Sequence, residues 1–136
     1  MTSESQYLLV IYRASRTRSE PVSPGHVADA LDRSPAAATE MLQRLETRGL
    51  LEYEPYEGAT LTAEGRETAE ELYETYAVLS QFFREVLDLE NPEAEALELA
   101  GSVSPVVTER VAETLLEGDA AESIDDDVVQ SPLEGS

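Results

Sequence analysis

Four times, ahead of a helix-like stretch, the chain sets a proline directly behind a residue able to cap a helix, at Ser23-Pro24, Ser34-Pro35, Asn91-Pro92 and Ser104-Pro105. A serine or asparagine at the N-cap offers its side-chain oxygen to an orphan backbone N–H, and a proline in the first turn forfeits no hydrogen bond. Helix starts are therefore legible before any periodicity is counted. The first two starts lie so close that only a short helix and a tight turn fit between them.

Apolar spacing fills in the rest. Upstream, Gln6 to Arg16 reads as a helix with Leu8, Ile11 and Tyr12 on one face. A second helix spans Pro24 to Leu31 with Val27, Ala28 and Leu31 inward. A third spans Pro35 to Arg48, with Ala38, Met41, Leu42 and Leu45 at i, i+3, i+4 and i+7, and Gly49 as its stop. The segment LLEYEPYEGATLT reads as a two-stranded hairpin: Leu51 and Tyr53 on one side, Ala59 and Leu61 on the other, a turn through Pro55 and Gly58 between. Thr62 then caps a long helix to about Leu87, with a stripe of Ala69, Leu72, Tyr73, Tyr76, Leu79, Phe83 and Val86. Two shorter helices follow, Pro92 to Ala100 and Pro105 to Leu116, the last with Val107, Val111 and Leu115 in register. Beyond Gly118 the chain loses periodicity and carries an aspartate run, which predicts a disordered acidic tail.

Helix, short helix, turn, longer helix and hairpin is the order of a winged helix-turn-helix. The fold class is mainly α: a winged helix-turn-helix at residues 1–66, a helical dimerisation region at 67–117 and a tail at 118–136. Opposite the buried stripe of the third helix stand Ala36, Ala37, Thr39, Glu40, Gln43 and Arg44. Small residues there let a backbone approach base edges, a methyl can touch thymine, and a glutamate can accept from the cytosine amino group. The alternative is that these residues simply favour helix.

Charge limits the partners. Acids number 29 against nine basic residues, all arginine, for a net charge of −20. Residues 1–66 hold seven arginines and ten acids, whereas residues 67–136 hold two arginines and 19 acids. Only the first part could face a polyanion. An acidic, lysine-free surface suits concentrated salt, where repulsion is screened within roughly 3 Å at 1 M, and so points to a halophilic source; an acidic interaction protein is the alternative. Arg13, Arg16, Arg18, Arg33, Arg44 and Arg48 are the candidates for contact with a duplex. No cysteine is present and histidine occurs once, leaving no disulfide, thiolate metal site or cysteine nucleophile. Neither a Ser/His/Asp set nor a phosphate loop is visible, so an enzyme is not expected. The start MTSESQYLLV has no signal-peptide pattern and no run is long enough to span a membrane, which predicts a cytoplasmic protein.

From Val27 to Ala69 the chain reads S-P-x-x-x-T-E-M-L-x-R-L-E-x-x-G-L followed by E-Y-E-P-Y-x-G-x-x-L-T-x-x-G. This resembles the DNA-binding domain of the diphtheria-toxin-repressor (DtxR/MntR-like) metalloregulators, and the likeness extends over about residues 5 to 116. It implies a homodimer built by the fourth and later helices, a palindromic operator of double-stranded DNA, and repression of transcription. It further implies DNA contact at Ser34, Ala36, Ala37, Thr39 and Glu40, with Tyr56 and Gly58 at the wing tip.

Such proteins use ferrous iron or manganese, held by ligands from the first, fourth and fifth helices. At the corresponding positions this chain has Gln6, Leu9, Tyr76, Ser80, Leu97, Ala100 and Gly101. Divalent cations require several converging oxygens or imidazoles, so the expectation is a regulator that has lost its metal and takes no cofactor. The other reading is an anti-repressor that pairs with a metal-binding relative. His26, in the first turn of the second helix, could reach a phosphate or be an ordinary surface residue. Tyr53, Tyr56, Tyr73 and Tyr76 could stack bases, though their spacing fits core and wing packing. Glu70, Glu74, Glu95 and Glu98 are expected to be solvated helix carboxylates.

Overall fold

The computed structural model describes residues 3–122, 126–127 and 130–131, with side chains through residue 115. Six helices and a small hairpin follow the expected order: α1 Glu4–Thr17, α2 Pro24–Leu31, α3 Pro35–Thr47, β1 Leu51–Glu54, β2 Gly58–Leu61, α4 Ala63–Glu85, α5 Pro92–Leu99 and α6 Pro105–Glu122. A single 3-10 turn, Ala100–Ser102, joins α5 to α6, and a two-residue ladder pairs Asp126–Asp127 with Gln130–Ser131. The last helix runs six residues further than its apolar spacing suggested, into the segment expected to be a tail; most of that tail lies outside the described residues.

Caps set the helix starts much as the sequence implies. Ser3 and Gln6 form a reciprocal capping box on α1, Ser23 accepts from the His26 N–H, Ser34 from the Ala37 N–H and Thr62 from the Gly65 N–H. Asn91 is the exception. It precedes α5 without a side-chain cap, and Pro92 alone marks that start. At the end of α3, Gly49 takes φ +82°, a conformation that costs most other residues energy.

Two apolar cores result. The first gathers Ile11, Val27, Ala38, Leu42, Leu45, Leu51, Ala59 and Leu61 between α1, α2, α3 and the hairpin. The second gathers Leu9, Tyr76, Leu79, Phe83, Ala96 and Ala100 between α1, α4 and α5. Two stripe residues break the expected pattern: Val86 is 53% exposed past the end of α4 and Val107 is 48% exposed on α6. The hairpin pairs Leu51 with Leu61 and Tyr53 with Ala59. It is braced by a third piece of backbone, because Val22 and Ala59 exchange both hydrogen bonds at 2.8 and 2.9 Å.

Candidate nucleic-acid interface

The third helix turns its leucines inward and its N-terminal end outward. Ala38, Leu42 and Leu45 are fully buried, while Ser34, Ala36, Glu40, Gln43 and Arg44 are exposed and Ala37 and Thr39 half-buried. The small residues thus stand on an uncovered face, backed by a rigid core. Ser34 holds the first turn by accepting the Ala37 N–H at 3.1 Å. A bulkier face would keep the helix axis further from any duplex.

Beside it the hairpin projects as a wing. Glu54 and Glu57 close its turn through the Glu57 N–H to Glu54 carbonyl bond of 3.0 Å. Tyr56 sits at the tip, fully exposed, with φ +70°. A left-handed conformation is costly for a bulky residue, so this ring is held out where it packs on nothing. Gly58 does not share that tip. It is buried at φ +133°, and a Cβ there would stand 2.2 Å from the Val22 carbonyl oxygen, so its task is to let the wing dock on the α1–α2 loop. His26 is half-buried and Tyr53 packs partly against the first core. Glu46 is spent on the wing, accepting the Tyr53 N–H at 3.1 Å.

The arginines divide. Arg48 pairs with Glu4, and Arg66 reaches Glu20 at 3.3 Å. Arg13 donates to the Tyr76 hydroxyl at 3.1 Å, and Arg16 lies over the rings of Tyr12 and Tyr73. Among the described residues, this leaves Arg18, Arg33 and Arg44 of the six candidates without an acidic or aromatic partner. The engagement of Arg13 with Tyr76 and of Arg16 with Tyr73 was not readable from sequence, because it joins helices about sixty residues apart.

The positions matching the family's metal ligands carry a different chemistry. Leu9, Tyr76 and Ala100 lie in the second apolar core, Leu97 packs against it, and Gly101 is exposed. The Gln6 Oε1 accepts the Ser3 N–H at 2.8 Å. Ser80 Oγ is buried with no hydrogen-bond partner. One orphaned hydroxyl, a phenol already engaged by a guanidinium and a set of aliphatic groups do not suit a hard divalent cation. Among the described residues no cluster of three or more histidine or acidic side chains could hold a metal ion.

The family profile described as "Iron dependent repressor, N-terminal DNA binding domain" matches residues 1–59. An uncharacterized HTH-type transcriptional regulator of Methanocaldococcus jannaschii is 32% identical over 111 residues, covering 80% of this chain and 89% of the relative. The HTH-type transcriptional regulator MntR of Lysinibacillus sphaericus is 35% identical over 81 residues, covering 60% of this chain and 54% of its own length. The manganese regulator SloR superposes with a TM-score of 0.74 at 29% identity, over 85% of this chain and 55% of that one. The chain thus spans about half the length of that MntR and of SloR. With winged helix, exposed third-helix face and a relative matched over 89% of its length in agreement, the chain belongs to the DtxR/MntR-like family of iron-dependent-repressor-type transcriptional regulators.

Proposed function

We propose that the protein is a homodimeric repressor that binds a palindromic DNA operator through α3 and the wing, without a metal cofactor and without enzymatic activity. The observation that carries this reading is the uncovered N-terminal face of α3, with Ala36 and Glu40 exposed above a fully buried Leu42 and Leu45. Ser34, Ala36, Ala37, Thr39, Glu40, Gln43 and Arg44 then meet bases and the nearest phosphates, while Tyr56 leans on the backbone beside them. Gly58 supports the wing from within. Dimerisation falls to the helical half, where Val86, Leu87, Leu89, Leu99, Val106 and Val107 are exposed. Exposed apolar residues on three successive segments of this half suit a surface that another chain covers.

The acidic surface shapes how binding depends on salt. Release of counterions from phosphates normally makes affinity fall steeply with salt. Here the wing carries the exposed Glu52, Glu54 and Glu57, and of the six candidate arginines only Arg18, Arg33 and Arg44 have no acidic or aromatic partner among the described residues. Affinity therefore rests on base contacts and burial, which suits a halophilic cytoplasm. No helix among the described residues is long and apolar enough to cross a membrane.

A mobility-shift titration tests the reading, using a duplex that the protein itself selects from a random pool. Retardation that persists in EDTA and is unchanged by manganese or ferrous iron is expected, with a log–log potassium chloride slope shallower than about −6. Retardation only with metal overturns the cofactor reading. No retardation at any salt points to an interaction module instead.

A further inference from the structure

The first helix divides its buried side chains between the two cores. Tyr7, Leu8, Val10 and Ile11 enter the first, while Leu9 enters the second. Leu9, Arg13 and Arg16 recur at i, i+4 and i+7 and so form one stripe. Across from that stripe lie Tyr73 and Tyr76 of α4. The Arg13 guanidinium carbon is 5.3 Å from the Tyr76 ring centroid, and its Nη1 donates to the hydroxyl at 3.1 Å. Arg16 extends the same seam, 5.5 Å from the Tyr12 ring and 5.6 Å from that of Tyr73.

Apolar contact alone is non-directional, so Leu9 against α4 resists separation better than it resists sliding. A guanidinium bonded to a phenol and placed near its ring adds direction. We propose that Arg13 is a positioning residue that locks α1 to α4 and so sets the angle between the winged helix and the helical half. Building on the metal-independent reading above, the fixed guanidinium puts a permanent cation at Tyr76, beside Leu9 and Ala100, where the resemblance would place metal ligands. The joint is then set by the sequence, whatever the supply of metal.

The absence of native cysteines lets spin labels be placed at Glu57→Cys on the wing and Glu95→Cys on α5, both exposed. Pulsed electron resonance on the full chain, diluted with unlabelled protein and without DNA, reads the distance across the joint. Arg13→Met should broaden or shift that distribution, Arg13→Lys should restore most of it, and EDTA should change neither. Affinity for the duplex selected by the wild type should fall roughly three- to tenfold in Arg13→Met. Tyr76→Phe, which keeps the ring and loses the hydrogen bond, should show a smaller change in the same direction. An unchanged distribution in Arg13→Met overturns the proposal. Weaker DNA binding at an unchanged distribution overturns it too, making Arg13 a phosphate ligand. A wild-type distribution that moves with EDTA instead removes the metal-independent reading, whatever the variants do.

Discussion

The two halves of the molecule are finished to different degrees. The winged helix encloses Ile11, Val27, Leu42, Leu45 and Leu51 completely, and every strand and helix in it contributes. The helical half closes around Tyr76, Leu79, Phe83 and Ala96, then leaves Val86, Leu87, Leu89, Leu99, Val106 and Val107 partly in solvent. It also holds 19 of the 29 acids. One half is complete as a single chain and offers a polar face to a ligand. The other leaves apolar side chains uncovered, which the proposed dimer would bury, and its exterior is acidic.

This contrast is broken first by substitution in the cores. Leu45→Ala should cost about 2–5 kcal/mol in urea unfolding, since a fully buried leucine leaves a cavity; a loss under 1 kcal/mol would mean that the first core is not the closed body described. Leu87→Asp should leave protomer folding nearly intact while weakening self-association by about 2 kcal/mol or more, read by sedimentation equilibrium. An unchanged dimer would show that the exposed apolar residues serve something else.

Much of this contrast was legible in the sequence. The Ser-Pro pairs and the i, i+3, i+4 spacing of α3 place its start, its buried stripe and its open face without any coordinates. The wing was legible as a hairpin, yet Gly58 was assigned to the tip because sequence shows where a glycine stands and not what its missing side chain would strike. Val86 and Val107 were counted as core for a similar reason: spacing reveals an apolar face, whereas its cover depends on what packs there. The seam of Arg13 and Arg16 on Tyr73 and Tyr76 was invisible, because single arginines in a helix carry no mark of an aromatic partner far along the chain.

Smaller effects sharpen the comparison. Ser80→Ala should raise stability by about 1 kcal/mol in thermal melts, because the buried hydroxyl has no partner among the described residues; a clear loss would mean that the hydroxyl binds something in solution. The smallest effect belongs to Glu93, bonded to Arg84 at the junction of α4 and α5. That hydrogen bond holds the Glu93 carboxyl below the ordinary carboxylate range. A lowered folded-state pKa contributes stability that is present above the unfolded value and lost as pH falls through the folded one. Glu93→Gln should therefore lower the neutral plateau slightly, leave stability unchanged at low pH where the wild-type carboxyl is itself protonated, and so flatten the acid limb. A change of midpoint on the acid side as large as that at pH 7 would contradict this assignment.

The most direct test of the whole account is titration of the self-selected duplex into wild-type protein and the Ala36→Glu variant. Ala36 is exposed, so the substitution leaves the core alone while placing bulk and negative charge on the face meant for DNA. The account predicts saturable wild-type binding in EDTA and at least roughly tenfold weaker binding by the variant, as expected when a base-reading contact worth 1–3 kcal/mol is lost. Equal affinity of the two proteins would contradict it.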